Sequence, residues 1–170
     1  MLRVPYSPLL VATYDDGSRI VGEHAIDEPH DDVSLRKIMA LSVTPEAHLN
    51  NKVEEALLSA DLIILGPGDL YTSVLANCVV SGFKEALASS HGKVLYISNL
   101  MTKRGQTTGM SLGAHVGELV RYIGRMPDAV LANKNPLPNN LLERYAHEAE
   151  YPVVLDHETL ECPVVLEDFL

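Results

Sequence analysis

Two segments of the chain hold polar and small residues that could do chemistry. The first is Gly66-Pro67-Gly68-Asp69-Leu70-Tyr71-Thr72-Ser73, directly after the apolar run Asp61-Leu62-Ile63-Ile64-Leu65. Gly66 and Gly68 permit positive φ and close approach of backbone to a ligand, and Pro67 stiffens the turn. Amides near a following helix start, with the hydroxyls of Thr72 and Ser73, present donors to an anion. The same residues also suit a tight strand-to-helix connection capped by Asp69. The missing Lys and the spacing exclude a P-loop, and there is no GxGxxG.

The second segment is Asn99-Leu100-Met101-Thr102-Lys103-Arg104-Gly105-Gln106-Thr107-Thr108-Gly109. Lys103 and Arg104 are adjacent cations in an acidic chain; Arg offers a planar fork for phosphate and Lys a point charge. An exposed loop with surface charges is the plainer alternative. If both segments follow successive strands of an open α/β sheet, they line one cleft at the carboxyl ends. His115 sits inside a helical pattern, where a packed or capping role is the ordinary one. No Ser-His-Asp or other nucleophile–base constellation is visible, so no catalytic residue is assigned.

The elements that must position these loops can be read from periodicity. Leu9–Tyr14 and Arg19–Glu23 flank Asp15-Asp16-Gly17-Ser18, the signature of a hairpin turn. His24 to Asp32, with two His, three Asp and one Glu, could bind a metal, but matches no ligand template; a solvated acidic loop is the simpler reading. From residue 36 the pattern alternates. Ile38–Val43 reads as a strand, Pro45–Ser59 as a helix with Pro in its first turn, and Asp61–Leu65 as a strand covered on both faces. Lys93–Ser98, Asp128–Ala132, Pro152–Leu155 and Val164–Leu166 read as further strands. The helices fall before Ser89, over Ser111–Ile123 and over Asn140–Glu148. This predicts an α/β fold with a mostly parallel, Rossmann-like sheet and helices on both faces, preceded by an N-terminal β-hairpin. Residues 1–35 form the hairpin and acidic connection, and 36–170 the phosphate- or nucleotide-binding portion.

Composition narrows the function. The 170 residues carry a formal charge of −10, with Lys and Arg scattered, which argues against a nucleic-acid partner. With 46% apolar residues the chain can bury a core. No signal-peptide pattern or membrane-length apolar run is present, so a cytoplasmic protein with no membrane partner is expected. Cys78 and Cys162 form no CxxC pair and read as small core residues in a reducing compartment.

The run Ala60–Ser73, followed by Asn99-Leu100-Met101-Thr102 and Gly105-Gln106-Thr107, resembles the bacterial gluconeogenesis-factor family, itself similar to the 2-phospho-L-lactate transferases of deazaflavin cofactor biosynthesis. The resemblance runs from about Ala12 to Val154. The Gly66 loop is closer to the gluconeogenesis-factor form than to the transferase form, which usually reads Gly-Pro-Ser-Asn-Pro. The resemblance implies a Rossmann-like fold and a nucleotide-sugar ligand of the UDP-N-acetylglucosamine type. It also implies a regulatory role in carbon metabolism and in cell-envelope or cell-shape control. It carries Gly66, Pro67, Gly68, Asp69, Tyr71, Thr72, Ser73, Asn99, Thr102, Lys103, Arg104, Gly105 and Tyr145 as phosphate- or nucleotide-binding residues. No metal-ligating residue is carried over, and no cofactor is implied except a divalent metal under the transferase alternative. Family members normally open with a Gly-rich nucleotide loop that this sequence lacks, so it corresponds to the C-terminal half of the family fold. A fragment, a mis-set start and a reduced relative all fit, as does a non-binding remnant that persists as a homo-oligomer.

Overall fold

The structure is a computed structural model that describes residues 7–30 and 34–169. Two sheets form the frame. Strands β1 (Leu9–Tyr14) and β2 (Arg19–Val21) make the expected hairpin, closed by Tyr14 N donating to Ser18 O at 2.9 Å. Asp16 Oδ1 accepts from both the amide and the hydroxyl of Ser18, fixing the turn. Helix α1 (Glu23–Asp27) follows. Strand β3 (Ile38–Thr44) then returns to pair antiparallel with β1, giving the order β2-β1-β3. β3 was expected to open the alternating series and instead completes the hairpin sheet.

The second sheet is parallel, in the order β4-β5-β6-β7, with β4 (Leu62–Leu65), β5 (Lys93–Ile97), β6 (Ala129–Asn133) and β7 (Val164–Glu167). Between the sheets, helix α2 spans Asn51–Ser59. It begins well after Pro45, because residues 47–49 use their backbone to pair with Ser81 and the Asn50 side chain caps the helix at Lys52 N. A π-helical stretch (Leu70–Leu75) runs into α3 (Ala76–Cys78), and α4 (Phe83–Ser89) leads to β5. Helix α5 (Leu112–Ile123) buries Leu112, Val116, Leu119 and Ile123 on one stripe, starts at the Ser111 cap and stops at Gly124 in the left-handed region. Helix α6 (Asn139–Ala146) precedes an extended segment. The expected strand Pro152–Leu155 lies in that segment and joins no sheet; Val153 N donates to Leu100 O, so it ties down the Asn99 loop instead.

Register assigns each sheet residue a face. Ile63, Val94 and Leu65, Tyr96, Val130 share one face and are buried, Val94, Tyr96 and Val130 completely. The strands step β4 to β7 in a single direction, and right-handed crossovers of that kind put their helices on the same face. The other face is more open. Leu62 and Ile64 are each 52% exposed, so β4 is not covered on both faces as its apolar run suggested. Cys78 and Cys162 are free and buried, as expected of core residues.

Helix α5 joins the two sheets through side chains. Tyr71 donates to Glu118 Oε1 at 3.0 Å, and Arg121, paired with the same carboxylate, donates to Met39 O at 2.8 Å. Tyr122 Oη accepts from Leu41 N at 2.8 Å. These bonds occupy backbone groups at the outer edge of β3. Removing the phenol would leave the Leu41 amide without a partner, at a cost of about 1–2 kcal/mol. Tyr122→Phe should therefore lower stability by that amount in urea unfolding, while Arg125→Ala, away from this edge, leaves the Leu41 amide protected in hydrogen exchange.

Candidate functional site

The parallel register of β4 and β5 pairs Leu65 with Tyr96, so the two loops leave the sheet side by side. Gly66 must be glycine: its φ is +95°, and an added Cβ would lie 2.7 Å from Ile97 O. Asn99 Nδ2 donates to Gly68 O at 2.9 Å, tying the loops together. The Asn99 Oδ1 is buried and has no hydrogen-bond partner in the protein. Thr102 is buried; its amide donates to Tyr151 O at 2.7 Å and its Oγ1 accepts from Tyr151 N at 3.0 Å. Lys103 N donates to Thr107 Oγ1 at 2.8 Å, which folds the second loop back on itself.

Five of the expected residues meet in one cavity of about 330 Å³: Asp69, Asn99, Thr102, Lys103 and Tyr145. Arg104 lines the adjoining cavity of about 450 Å³ with Lys103, His147 and Glu150, and its Nη2 donates to Ser34 Oγ at 3.0 Å. Gly105 is buried beside Pro29. Of the other residues, Thr72 reaches this cluster through Asp27 and Gly68 through Asn99, and the rest lie apart. Tyr71 is buried with its hydroxyl on Glu118, Thr72 Oγ1 donates to Asp27 Oδ1 at 3.2 Å, and Gly66, Pro67 and Ser73 line a separate groove beside β4.

The site is acidic rather than basic. Lys103 Nζ lies 3.6 Å from Glu150 Oε1 and 3.9 Å from Asp27 Oδ2. Asp27 also accepts from Gln106 Nε2 at 2.8 Å. Burial pushes the Asp69 carboxyl above its ordinary range, and the charge of Asp27 pushes it further. Burial alone would lower the Lys103 ammonium, but Asp27, Glu150 and Asp69 outweigh it and hold the ammonium above its usual value. Three carboxylates around one ammonium suit hydroxyl donors and a cationic or proton-bearing group. A phosphate must take Lys103 from its carboxylates.

Sequence reading missed Asp27, Glu150 and the bond made by Gln106. Asp27 belonged to the acidic stretch read as solvated, and nothing local marked Glu150. In that stretch, Asp31 and Asp32 lie outside the described residues. Among the described residues, no three His, Cys, Asp or Glu side chains are grouped as metal ligands. His115 is fully buried, with Nδ1 2.9 Å from Ser111 O, and burial lowers its pKa; it is a packed, neutral side chain.

Asp69 has a testable consequence. A carboxyl raised in the folded state favours folding in acid, and that contribution is lost as pH rises through the carboxylate range. Asp69→Asn should therefore stabilise the protein at pH 7 and leave it unchanged near pH 3. Chemical denaturation at the two pH values checks this; equal effects at both would remove Asp69 from the crowded cluster.

Comparison with known proteins places this geometry in a family. The family described as 2-phospho-L-lactate transferase CofD matches residues 7–170. A gluconeogenesis-factor relative from Thermotoga maritima is 38% identical over 162 residues, covering 95% of this chain and 50% of its own length. The gluconeogenesis factor of Halalkalibacterium halodurans is 32% identical over 157 residues, 91% of this chain and 47% of that protein. A crystal structure of a UPF0052 family member from Bacillus halodurans superposes with a TM-score of 0.87 at 31% identity, covering 96% of this chain and 53% of that one. The chain thus spans about half the length of the curated relatives it matches. Among the described residues, no helix is long and apolar enough to cross a membrane. With its parallel α/β sheet, its two strand-end loops and a match along nearly its whole length, the chain belongs to the CofD/UPF0052 family, whose curated members here are gluconeogenesis factors.

Proposed function

We propose that the chain carries part of a nucleotide-sugar site of the UDP-N-acetylglucosamine type and acts in regulation rather than catalysis. The observation that supports this most is the buried, unpartnered Oδ1 of Asn99. Buried acceptors without partners are rare and cost roughly 1–3 kcal/mol, and the residue that carries this one lines the cleft, so a side-chain rotation would offer the acceptor to a ligand. Asn99 lines two adjoining cavities. One, of about 330 Å³, holds the carboxylates and Lys103; the other, of about 320 Å³, is lined by Asn133, Asn135, Leu137 and Leu142. Each is within the range of small-ligand sites. The amide-rich apolar cavity suits a flat base, and the acidic cavity suits sugar hydroxyls; a bridging phosphate would draw Lys103 away from Glu150 and Asp27.

The family names support a link to carbon metabolism, and a nucleotide-sugar ligand would extend it to cell-envelope supply and cell shape. The reading takes the protein to act in the cytoplasm, where such ligands are found.

Calorimetry with UDP-N-acetylglucosamine tests the ligand. Saturable heat is expected, with Lys103→Ala weakening affinity by about 1.5–3 kcal/mol, the value of a charge-assisted hydrogen bond. No heat at millimolar ligand, from protein shown to be folded, would overturn the reading.

A further inference from the structure

We propose that Asp27, Asp69 and Glu150 form a proton-dependent lock on Lys103, with Asp27 as the residue that positions the ammonium. One proton taken up at Asp69 releases Lys103 to an anionic group, and an anion that takes Lys103 draws that proton in. The lock follows from the geometry of the cluster; its coupling to an anion rests on the nucleotide-sugar reading.

Three separate parts of the chain meet at Asp27, the last residue of α1. Its Oδ1 accepts from Gln106 Nε2 at 2.8 Å and from the Thr72 hydroxyl at 3.2 Å, so both loops are bonded to it. Its Oδ2 faces Lys103 Nζ at 3.9 Å, and Glu150 Oε1 faces the same ammonium at 3.6 Å. Both distances exceed a charge-assisted hydrogen bond, so charge rather than a fixed bond holds the ammonium. The Asp69 carboxyl lines the cavity with Lys103 and Glu150 and lies within hydrogen-bonding range of Asp27. The Glu150 and Asp27 side chains are only 8% and 23% exposed, so solvent ions screen the cluster weakly.

A proton on Asp69 changes two things at once. Its O–H can donate to Asp27, and one negative charge beside Lys103 disappears. Asp27 then has three neutral donors in place of the ammonium. Burial and the charge of Asp27 already favour that proton, while Lys103 opposes it. An anion that withdraws Lys103 removes the opposition, so the complex carries more protons than the free protein. Affinity for the anion therefore rises as pH falls between the bound and free Asp69 values, by at most about ten-fold per pH unit, and levels off on either side. Among the described residues, the other titratable groups lining these cavities are Glu28, Arg104, Tyr145, His147 and Glu148. His147 is the rival proton site near neutral pH.

Carboxyl-carbon NMR titration of the ligand-free chain tests the lock. Lys103→Met should move the Asp69 midpoint up, and Asp27→Asn should move it down; a midpoint indifferent to both overturns the proposal. Calorimetry with UDP-N-acetylglucosamine, whose diphosphate keeps its charge across this range, tests the coupling in buffers of differing ionisation enthalpy. Proton uptake and an affinity that climbs as pH falls are expected. Asp69→Asn should bind at pH 7 as tightly as the unaltered chain does in acid, without proton uptake. Affinity independent of pH, or a slope that His147→Gln removes and Asp69→Asn leaves, overturns the coupling. Absence of ligand heat at every pH overturns the nucleotide-sugar reading and the coupling together, and the NMR midpoints then decide the lock by themselves.

Discussion

The parallel ladder between β4 and β5 pairs Leu62 with Lys93 and Leu65 with Tyr96, and most of the structure follows from it. Strands in this register end together, so the backbone must leave both at the same height. Gly66 makes that exit in a conformation unsuited to a side chain, pressed against Ile97 O. Asn99 leaves the adjacent strand and reaches back to Gly68 O. The cleft is thus a product of strand pairing. Extended backbone at residues 151–154, hydrogen-bonded to Leu100 and Thr102, closes one wall of it.

Electrostatics then sets what the cleft can accept. Lys103 is the cation at its centre, and Asp27, Asp69 and Glu150 converge on it from three separate parts of the chain. Bringing three carboxylates into partial burial is unfavourable unless something compensates. Lys103 supplies one charge, and the raised Asp69 carboxyl shows the remainder. A ligand with several hydroxyl donors would relieve that crowding, and Asn99 Oδ1 would gain the partner it lacks.

Elements whose signals were local were legible in the sequence. The Asp-Gly turn marked the hairpin, and the stripe from Leu112 to Ile123 marked α5 with its Ser111 cap. β5 and β6 were placed to within a residue or two. Non-local decisions were not legible. Pro45 looked like a helix start, but Ser81 claimed the backbone that follows it. Val153 and Val154 had strand composition, yet Val153 N bonds Leu100 O of the Asn99 loop and Val154 O accepts from Leu112 N at the start of α5. The apolar run of β4 was read as two buried faces, although apolar sequence cannot show whether a neighbour is present. The loops of the site were found by residue type; its acidic side was not, because Asp27 and Glu150 meet Lys103 only in three dimensions.

Residue-resolved hydrogen exchange on the isolated chain bears most directly on this parallel frame. The amides of Ile63 and Leu65, bonded to β5, should exchange slowly, and those of Leu62 and Ile64, on the outer side, near the rate of an unstructured peptide. Fast exchange at Ile63 and Leu65 would contradict the β4–β5 ladder from which the cleft follows, and equal protection of all four amides would contradict a β4 paired on one side only.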